Sequence, residues 1–453
     1  METGSNSRVI GRQLWQLSYP TMIAMALQSF YDLVDMAWVG QISKEAVAGV
    51  TLFSTIYMLF GVLNDVVGSS SVSMISQSYG RNDHKRVQVI AEQTISFKVL
   101  LALISATLML IFLKPLLSFY TDVPDVREAA LSYGYIRIFF LPLNFASYSI
   151  NTVFRCTGDA KTPMRIMIVA TILNIVLDPL FIFDVIPGTS IGGLGMGVFG
   201  AALATVIAAT VSFLYGFIVL ISGRRDVTIS FRGLFRLDRA VDRQLIVVGL
   251  PSGLQLLVRQ LFNAILLKFV TIYGTVAITV MGIGGKLIGF SLMPLFGLQM
   301  AGSAMVGHAL GRDRVDEAKL ISKISSIINV AITSVFAAFF IAFPRVVMRL
   351  FSNEAPVIEE GVYMIRMISI AIVIIAYSFG RKIVFAGAGH NRPQLYAGIF
   401  SRWVVQLPAV ILIVIVLKLP LQWLWVTFII AELGEYAFVY YHLRKGEWET
   451  KRV

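Results

Sequence analysis

Asp32, Asp35 and Asp178 are acids within long apolar segments of this sequence. Asp32 and Asp35 belong to the first such segment, and Asp178 lies about halfway through the fifth. Acids inside a membrane span are costly, and they usually contact ions, protons or substrate. Apolar surroundings disfavour the charged form of a carboxylate, so such a group can hold a proton near neutral pH. We therefore predict that Asp35 and Asp178 take up and release a coupling cation.

The residues around Asp178 leave two coupling ions open. Asn174 precedes it by one helical turn and shares its face. Pro179 has no backbone N–H, so it leaves the carbonyl of residue 175 without its usual donor. Because interrupted transporter helices use such oxygens as Na⁺ ligands, both H⁺ and Na⁺ fit the pattern. If the ion is Na⁺, Asp35 and Asp178 would be its metal ligands. Pro20 provides a natural kink point in the first helix.

The composition is that of a polytopic membrane protein. Of 453 residues, 57% are apolar and 14% are charged, against roughly 25% charged in soluble domains. Each apolar run is long enough for a spanning helix of about 20 residues, and none shows the alternation of a membrane barrel. We predict an all-α protein with twelve transmembrane helices. The predicted spans are 13–38, 46–75, 88–117, 128–153, 166–184, 196–222, 244–272, 276–306, 320–342, 360–386, 395–417 and 421–442.

Lysine and arginine are concentrated in alternate connections, including 223–243 and the two ends of the chain. This bias places both termini in the cytoplasm of a cell-membrane protein. The net charge of +12 indicates attraction to anionic lipids. Since the cations are spread over many short segments, nucleic acid is not an expected partner. The single Cys156 excludes an intrachain disulfide.

The two halves of the sequence repeat each other. Pro20 aligns with Pro251, and Gly80-Arg81 aligns with Gly311-Arg312. Six helices per repeat give both halves the same orientation, as in parallel-repeat transporters. We predict two six-helix bundles related by pseudo-two-fold symmetry, which permits alternating access. The N-terminal lobe is 1–222, the cytoplasmic linker is 223–243, and the C-terminal lobe is 244–453.

The buried acids break this symmetry. Asp35 aligns with Leu266, and Asp178 aligns with Leu407 when Pro179 is set against Pro408. A scaffolding role would be expected in both halves, so the asymmetry favours a function for the two aspartates.

These motifs, in this order and spacing, resemble the multidrug and toxic compound extrusion (MATE) transporters, most closely the DinF-like branch. The stretches that carry the resemblance are Pro20, 34–40, 154–163 and 173–179. The resemblance implies cation-coupled export of amphipathic, often cationic compounds, with bending of the first helix at Pro20 linked to protonation. The cation network that it implies comprises Asp35, Asn174 and Asp178, with Tyr133, Asn151 and Thr205 as polar neighbours. The NorM-like branch has acids for Na⁺ in its seventh and tenth helices, whereas this chain has Gln255 and no carboxylate there.

The sequence leaves one alternative function open and contains several further charged residues within its spans. A lipid-linked oligosaccharide flippase of the same superfamily is the alternative, with Arg137 and Arg259 as possible cavity cations. An enzyme is not expected, since no nucleophile–base pair or metal cluster is visible, and no cofactor is expected. Neutralisation within the membrane is the favoured account of four further charged residues: Lys286, Arg402, Glu432 and Glu435. Asp32 and Asp65 are left open. We expect a monomer that handles amphipathic small molecules among membrane lipids.

Overall fold

The computed structural model describes residues 2–223 and 227–453, with side chains from residue 7 onward. The chain is almost entirely helical. Helices of the first half are α1 (Glu2–Gly40), α2 (Lys44–Gly80), α3 (His84–Tyr120), α4 (Pro124–Phe139), α5 (Leu141–Cys156), α6 (Lys161–Ile182) and α7 (Gly197–Ile221). A one-turn helix, α8 (Phe231–Leu234), lies between the halves. Arg224 and Arg225 of the predicted linker fall outside the described residues.

Helices of the second half are α9 (Arg239–Val270), α10 (Thr275–Gly311), α11 (Val315–Ala342), α12 (Pro344–Arg349), α13 (Ala355–Ala388), α14 (Arg392–Ile399), α15 (Leu407–Ile411) and α16 (Leu421–Lys445). The helix of α14 continues into α15 through the π-helical segment Phe400–Gln406, and a second π segment, Leu412–Val416, follows. Pro408 lies between these wide turns. Proline removes one backbone donor from the helix, which favours irregular turns of this kind near it.

Local chemistry sets several helix ends. The Ser43 side chain accepts a hydrogen bond from Ala46 N at 3.0 Å, and Asp83 Oδ1 accepts one from Arg86 N at 3.0 Å. Both satisfy amide groups that the first turn of a helix leaves free. At the other end of α13, Gly389 takes φ 70°, the left-handed conformation that commonly terminates helices.

Ten helices among the described residues are long and apolar enough to cross a membrane. Together with α1 and the pair α4–α5, they cover the twelve predicted spans. The fourth span differs from the prediction, which ran unbroken from 128 to 153. It is interrupted at Phe140, since Pro142 cannot donate to the carbonyl of Ile138. The predicted all-α membrane architecture is confirmed.

The contacts divide the chain into two compact units. One comprises Ile23–Gly249, which we call the N-terminal unit; the other comprises Met1–Met22 and Leu250–Val453, the C-terminal unit. The chain therefore changes unit inside α1, two residues after Pro20, and inside α9, one residue before Pro251. The predicted lobes instead divide at 222 and 244, and those boundaries stay a prediction.

Each unit has its own apolar interior. The core of the N-terminal unit joins α2, α3, α4 and α5 through residues such as Phe53, Met109, Leu113 and Leu141. In the C-terminal unit, one cluster surrounds Trp425 and Met364, and another joins Leu298 and Val306 to Leu14 of the first part of α1.

The segment before α9 is anchored to α3 within the N-terminal unit. Glu92 Oε1 accepts hydrogen bonds from Ser230 N at 2.7 Å and from Ser230 Oγ at 3.0 Å. Gln93 Oε1 accepts one from Asp238 N at 2.8 Å, and Ser96 Oγ donates to the Leu234 carbonyl. The last part of the linker is therefore held by side chains of α3.

Candidate cation-coupling site

Asp35 on α1 is joined to α4 by one hydrogen bond. Tyr133 Oη donates to Asp35 Oδ2 at 3.3 Å, and both side chains are buried, at 7% exposure for Asp35 and 4% for Tyr133. The helical bounds place Asp35 five residues before the end of α1. This arrangement connects an acid on the first helix to the first piece of the broken fourth span.

Asp178 and Asn174 form a second pair on α6. Asn174 Nδ2 donates to Asp178 Oδ1 at 2.8 Å, one helical turn apart, and both residues are fully buried. The predicted shared helical face is therefore confirmed. Asp178 also lies within electrostatic range of Asp35, so the structure brings the two predicted acids into one region of the N-terminal unit.

The three less secure candidates differ in how well they connect to these acids. Thr205 on α7 is buried and donates to the Ala201 carbonyl at 3.0 Å. Its side chain also lies close enough to the Tyr31 and Tyr133 side chains to interact with them. Asn151 on α5 is half-buried, and in the described part of the chain its Oδ1 has no hydrogen-bond partner. Thr205 thus belongs to the cluster by contact, and Asn151 only by its place on the neighbouring helix.

Arg137 on α4 is the cation that acts on Asp35, and tyrosine rings lie beside it. Its guanidinium carbon lies 5.5 Å from the ring centre of Tyr57 and 5.7 Å from that of Tyr133. Arg137 acts on Asp35 at electrostatic range. Neither Asp35 nor Asp178 has a lysine or arginine nitrogen within 4.0 Å among the described residues. The sequence reasoning had placed Arg137 but missed Tyr31 and Tyr57, since aromatic residues are common throughout such a chain.

One oxygen of each acid is left over. Asp35 Oδ1, Asp178 Oδ2 and Asn174 Oδ1 are buried and, in the part of the chain that the structure covers, have no hydrogen-bond partner. Buried polar atoms normally have partners. Two ionised carboxylates in apolar surroundings without a paired cation would also be strongly disfavoured. The arrangement suits a group that binds H⁺, or a cation that oxygen atoms can coordinate. Among the described residues no group of three or more His, Cys, Asp or Glu side chains could hold a metal, so Na⁺ would need the amide and backbone oxygens as well.

The acids that the sequence left open have local partners. Asp32 is exposed on α1, and Gln28 Nε2 donates to its Oδ1 at 2.9 Å. Asp65 on α2 lies within electrostatic range of Lys98. Lys98 is fully buried and donates to Asn64 Oδ1 at 2.9 Å. The sequence reasoning did not single out Lys98, although a lysine in the middle of an apolar segment was a visible signal.

The acids of α16 in the C-terminal unit are paired with cations. Glu435 Oε1 lies 2.6 Å from Lys382 Nζ of α13, and Glu432 accepts a hydrogen bond from Arg402. The predicted neutralisation is confirmed for Arg402. The same prediction is wrong for Lys286, which is exposed on α10. The cation that neutralises Glu435 is Lys382 instead.

The comparisons with known proteins agree with this fold. The MatE family model matches residues 20–180 and 251–412. The probable multidrug resistance protein YoeA of Bacillus subtilis is 26% identical over 450 residues, which is 96% of this chain and 93% of the relative. A FAD transporter of Shewanella oneidensis is 25% identical and covers 86% of this chain, with 85% of its own length aligned.

A solved structure is similar throughout. It is the outward-facing conformation of a multidrug resistance MATE family transporter of the MOP superfamily. It has a TM-score of 0.87 and 24% identity, with 97% of each chain covered. At that identity the likeness shows the fold alone.

Proposed function

The chain belongs to the MatE family, and from that premise we propose that it is a cation-coupled antiporter that exports amphipathic small molecules. It is a multi-pass membrane transporter and not an enzyme, as the family match and the relatives show. The relatives named above give no support to the flippase alternative. The coupling to an ion gradient, the residues that bind the ion and the class of compound carried are our proposal.

The observation that carries the coupling is the state of the two buried acids. Asp35 and Asp178 each accept one hydrogen bond from a neutral donor and keep one buried oxygen free. A proton needs only one free carboxylate oxygen, whereas Na⁺ needs a shell of several oxygens. We therefore place H⁺ first. Na⁺ is second, with Asn174 Oδ1 as an additional ligand beside Asp35 and Asp178.

The transport cycle follows from charge. With both acids ionised, the outward-facing protein holds the compound. Entry of the coupling ion neutralises the acids and removes the charge that favoured this state, since binding can shift a conformational equilibrium only by its differential affinity. Bending of α1 at Pro20 then expels the compound, and return to the inward-facing state releases the ion. Tyr133, Asn174 and Thr205 orient the acids. Asn151 is a polar neighbour on the adjacent helix α5.

In the cell we expect a monomer in the inner or plasma membrane with both termini cytoplasmic. The cytoplasmic position of the termini rests on the distribution of lysine and arginine along the sequence. Assignment to the DinF-like branch rests on the stretches 34–40, 154–163 and 173–179, and on Gln255 in the seventh span, where the NorM-like branch has an acid.

The test is export of a fluorescent organic cation from proteoliposomes. A proton gradient and then a Na⁺ gradient are imposed on the wild type, Asp35→Asn and Asp178→Asn. We expect one gradient to drive export by the wild type and both variants to fall to the rate of protein-free vesicles. The matched control is Asp122→Asn, the same chemical change at an exposed acid paired with Arg127, which is expected to transport normally.

Normal gradient-driven export by both variants would refute the assignment of the coupling site. Export by the wild type without either gradient would refute coupling itself. The response to each gradient in the wild type identifies the ion.

A further inference from the structure

One face of α9 is polar although the helix spans the membrane. Ser252, Gln255, Arg259 and Asn263 recur every three or four residues, the spacing of a single helical face. Arg259 and Asn263 are exposed, and the other two are half-buried. Leu254, Leu257 and Leu261 are also exposed, and 3.6 residues per turn place them on the opposite side of the helix.

The two sides of α9 therefore need different surroundings. Leucine side chains are apolar and can face lipid hydrocarbon without loss of hydrogen bonds. Arg259 is not, since an ionisable side chain within a span almost always faces water or a polar partner and marks a functional path. The Arg259 side of this helix accordingly requires a polar ligand or water.

Arg259 has no acid of its own among the charged residues around it in the C-terminal unit. It lies within electrostatic range of Glu432, Glu435 and Arg402. Each glutamate already has its own cation in contact, Arg402 for Glu432 and Lys382 for Glu435. Within residues 227–453, where the structure describes this unit's second part, no carboxylate oxygen lies within 4.0 Å of Arg259. Three cations thus share two acids, and one positive charge has no partner.

The internal repeat shows that this excess is particular to the second half. In the alignment that sets Pro20 against Pro251, Arg259 corresponds to Gln28 and Asn263 to Asp32. In the first half the pair is an amide and an acid, joined at 2.9 Å. In the second half it is a cation and an amide. The same helical face is therefore acidic in one repeat and basic in the other.

We propose that Arg259 binds an anionic oxygen group, a carboxylate or a phosphate, of the transported compound. A guanidinium offers a planar fork of donors that matches such a group with two hydrogen bonds. Gln255 and Asn263, on the same face, add neutral donors beside it. This inference rests on the proposed function and narrows it, because it adds amphipathic compounds with an acidic group to the substrates.

The experiment compares two dyes that differ only at one group: a rhodamine with a free carboxylate and its ethyl ester. Gradient-driven export of each is measured for the wild type, Arg259→Gln and Arg259→Lys. Arg259→Gln installs the residue type found at the equivalent position 28. The matched control is Lys286→Gln, which removes another exposed cation from a span of the same unit.

We expect Arg259→Gln to raise the KM for the acid dye about tenfold or more, the loss typical of one charge-assisted hydrogen bond. The ester should change by less than about twofold, since it has no carboxylate for Arg259 to bind. Arg259→Lys should lie between, because it keeps the charge and loses the fork. Equal effects on both dyes, or none on either, would overturn the assignment.

Two further measurements separate this inference from other outcomes. Binding of both dyes to the purified protein is followed by fluorescence polarisation, so selective loss of acid-dye binding supports Arg259 even if no gradient drives export. The transport assay is repeated in vesicles with and without phosphatidylglycerol. A defect that appears only with the anionic lipid, and equally for both dyes, would identify a lipid headgroup as the ligand and overturn the substrate assignment.

Discussion

Each unit has a pair of buried acids on its membrane-spanning helices, and the two pairs have different surroundings. In the N-terminal unit, Asp35 and Asp178 accept hydrogen bonds from a tyrosine and an amide. In the C-terminal unit, Glu435 and Glu432 contact Lys382 and Arg402. The first pair can gain or lose a charge without breaking an ion pair. The second cannot, because neutralising either glutamate leaves its paired cation without a counter-charge, and one of these cations, Lys382, is buried.

This contrast shows that burial of an acid is not enough to mark a coupling site. An intramembrane carboxylate is expensive in either unit. In the C-terminal unit the expense is offset by a counter-charge fixed in the chain. In the N-terminal unit no lysine or arginine of the described residues contacts either acid, and Arg137 acts on Asp35 only at longer range. Under the proposed coupling, H⁺ or Na⁺ from outside neutralises the acids, and the site responds to an ion gradient.

The largest effect that the comparison predicts is on stability. Glu435→Gln should lower the free energy of unfolding by about 3–5 kcal/mol, because it leaves Lys382 as an uncompensated buried charge. Asp178→Asn should change it by less than about 1 kcal/mol, because the new amide oxygen still accepts from Asn174. Unfolding by denaturant in detergent micelles measures both.

The control for this contrast is the double variant Lys382→Met/Glu435→Met. Removing both charges should recover most of the lost stability, since hydrophobic replacement of a buried ion pair is often neutral or stabilising. If the double variant is as unstable as the single one, the pair contributes more than neutralisation. In that case the C-terminal acids would need a functional explanation too.

A smaller effect is expected at the prolines, where the chain passes from one unit to the other. Pro20→Ala restores a backbone donor to the middle of α1 and should make bending harder. We expect turnover to fall about tenfold with substrate KM little changed, because the change affects a conformational step. Initial rates of export over a range of substrate concentrations separate the two quantities.

The repeat provides the matched control, Pro251→Ala. It makes the same change in α9, whose membrane-spanning part carries no acid. If bending at Pro20 is linked to the charge of Asp35, then Pro251→Ala should reduce turnover less. Equal losses would mean that both prolines serve packing, and the link between Pro20 and Asp35 would be wrong.

Much of the N-terminal site could be predicted from the sequence because its pattern is local. Asn174 and Asp178 are one turn apart, so helical geometry alone pairs them. The connection from Asp35 to Tyr133 is not local, and only the family resemblance suggested it. Tyr31 and Tyr57 were missed because one aromatic residue among many gives no signal of its direction.

The C-terminal pairs show the same limit from the other side. The sequence indicated that Glu432 and Glu435 need cations, but the prediction named Lys286, whereas Glu435 is paired with Lys382. Hydropathy tells which residues lie in a span and not how far each helix is rotated about its axis. Lys286 is exposed on α10, whereas Lys382 lies on the side of α13 that contacts Glu435. The break at Phe140 was missed although Pro142 was a visible signal, because the apolar run continues through it.

The smallest predicted effect concerns the hydrogen bond that joins α4 to Asp35. At 3.3 Å, Tyr133 Oη makes a long contact with Asp35 Oδ2, and the bond stabilises the ionised carboxylate. Tyr133→Phe removes that bond and keeps the ring packed against Phe53. The ionised form should become less favourable by about 0.5–1.5 kcal/mol. The coupling ion should then bind about two- to tenfold more tightly, because neutralisation costs less. Half-maximal export should therefore occur at a correspondingly lower outside ion concentration, which titrating the outside ion in the export assay would show.

Lys382→Arg, which keeps the cation beside Glu435, should leave that midpoint unchanged. A shift with Lys382→Arg as large as with Tyr133→Phe would mean that the two units share the coupling, and the division between them drawn here would be wrong.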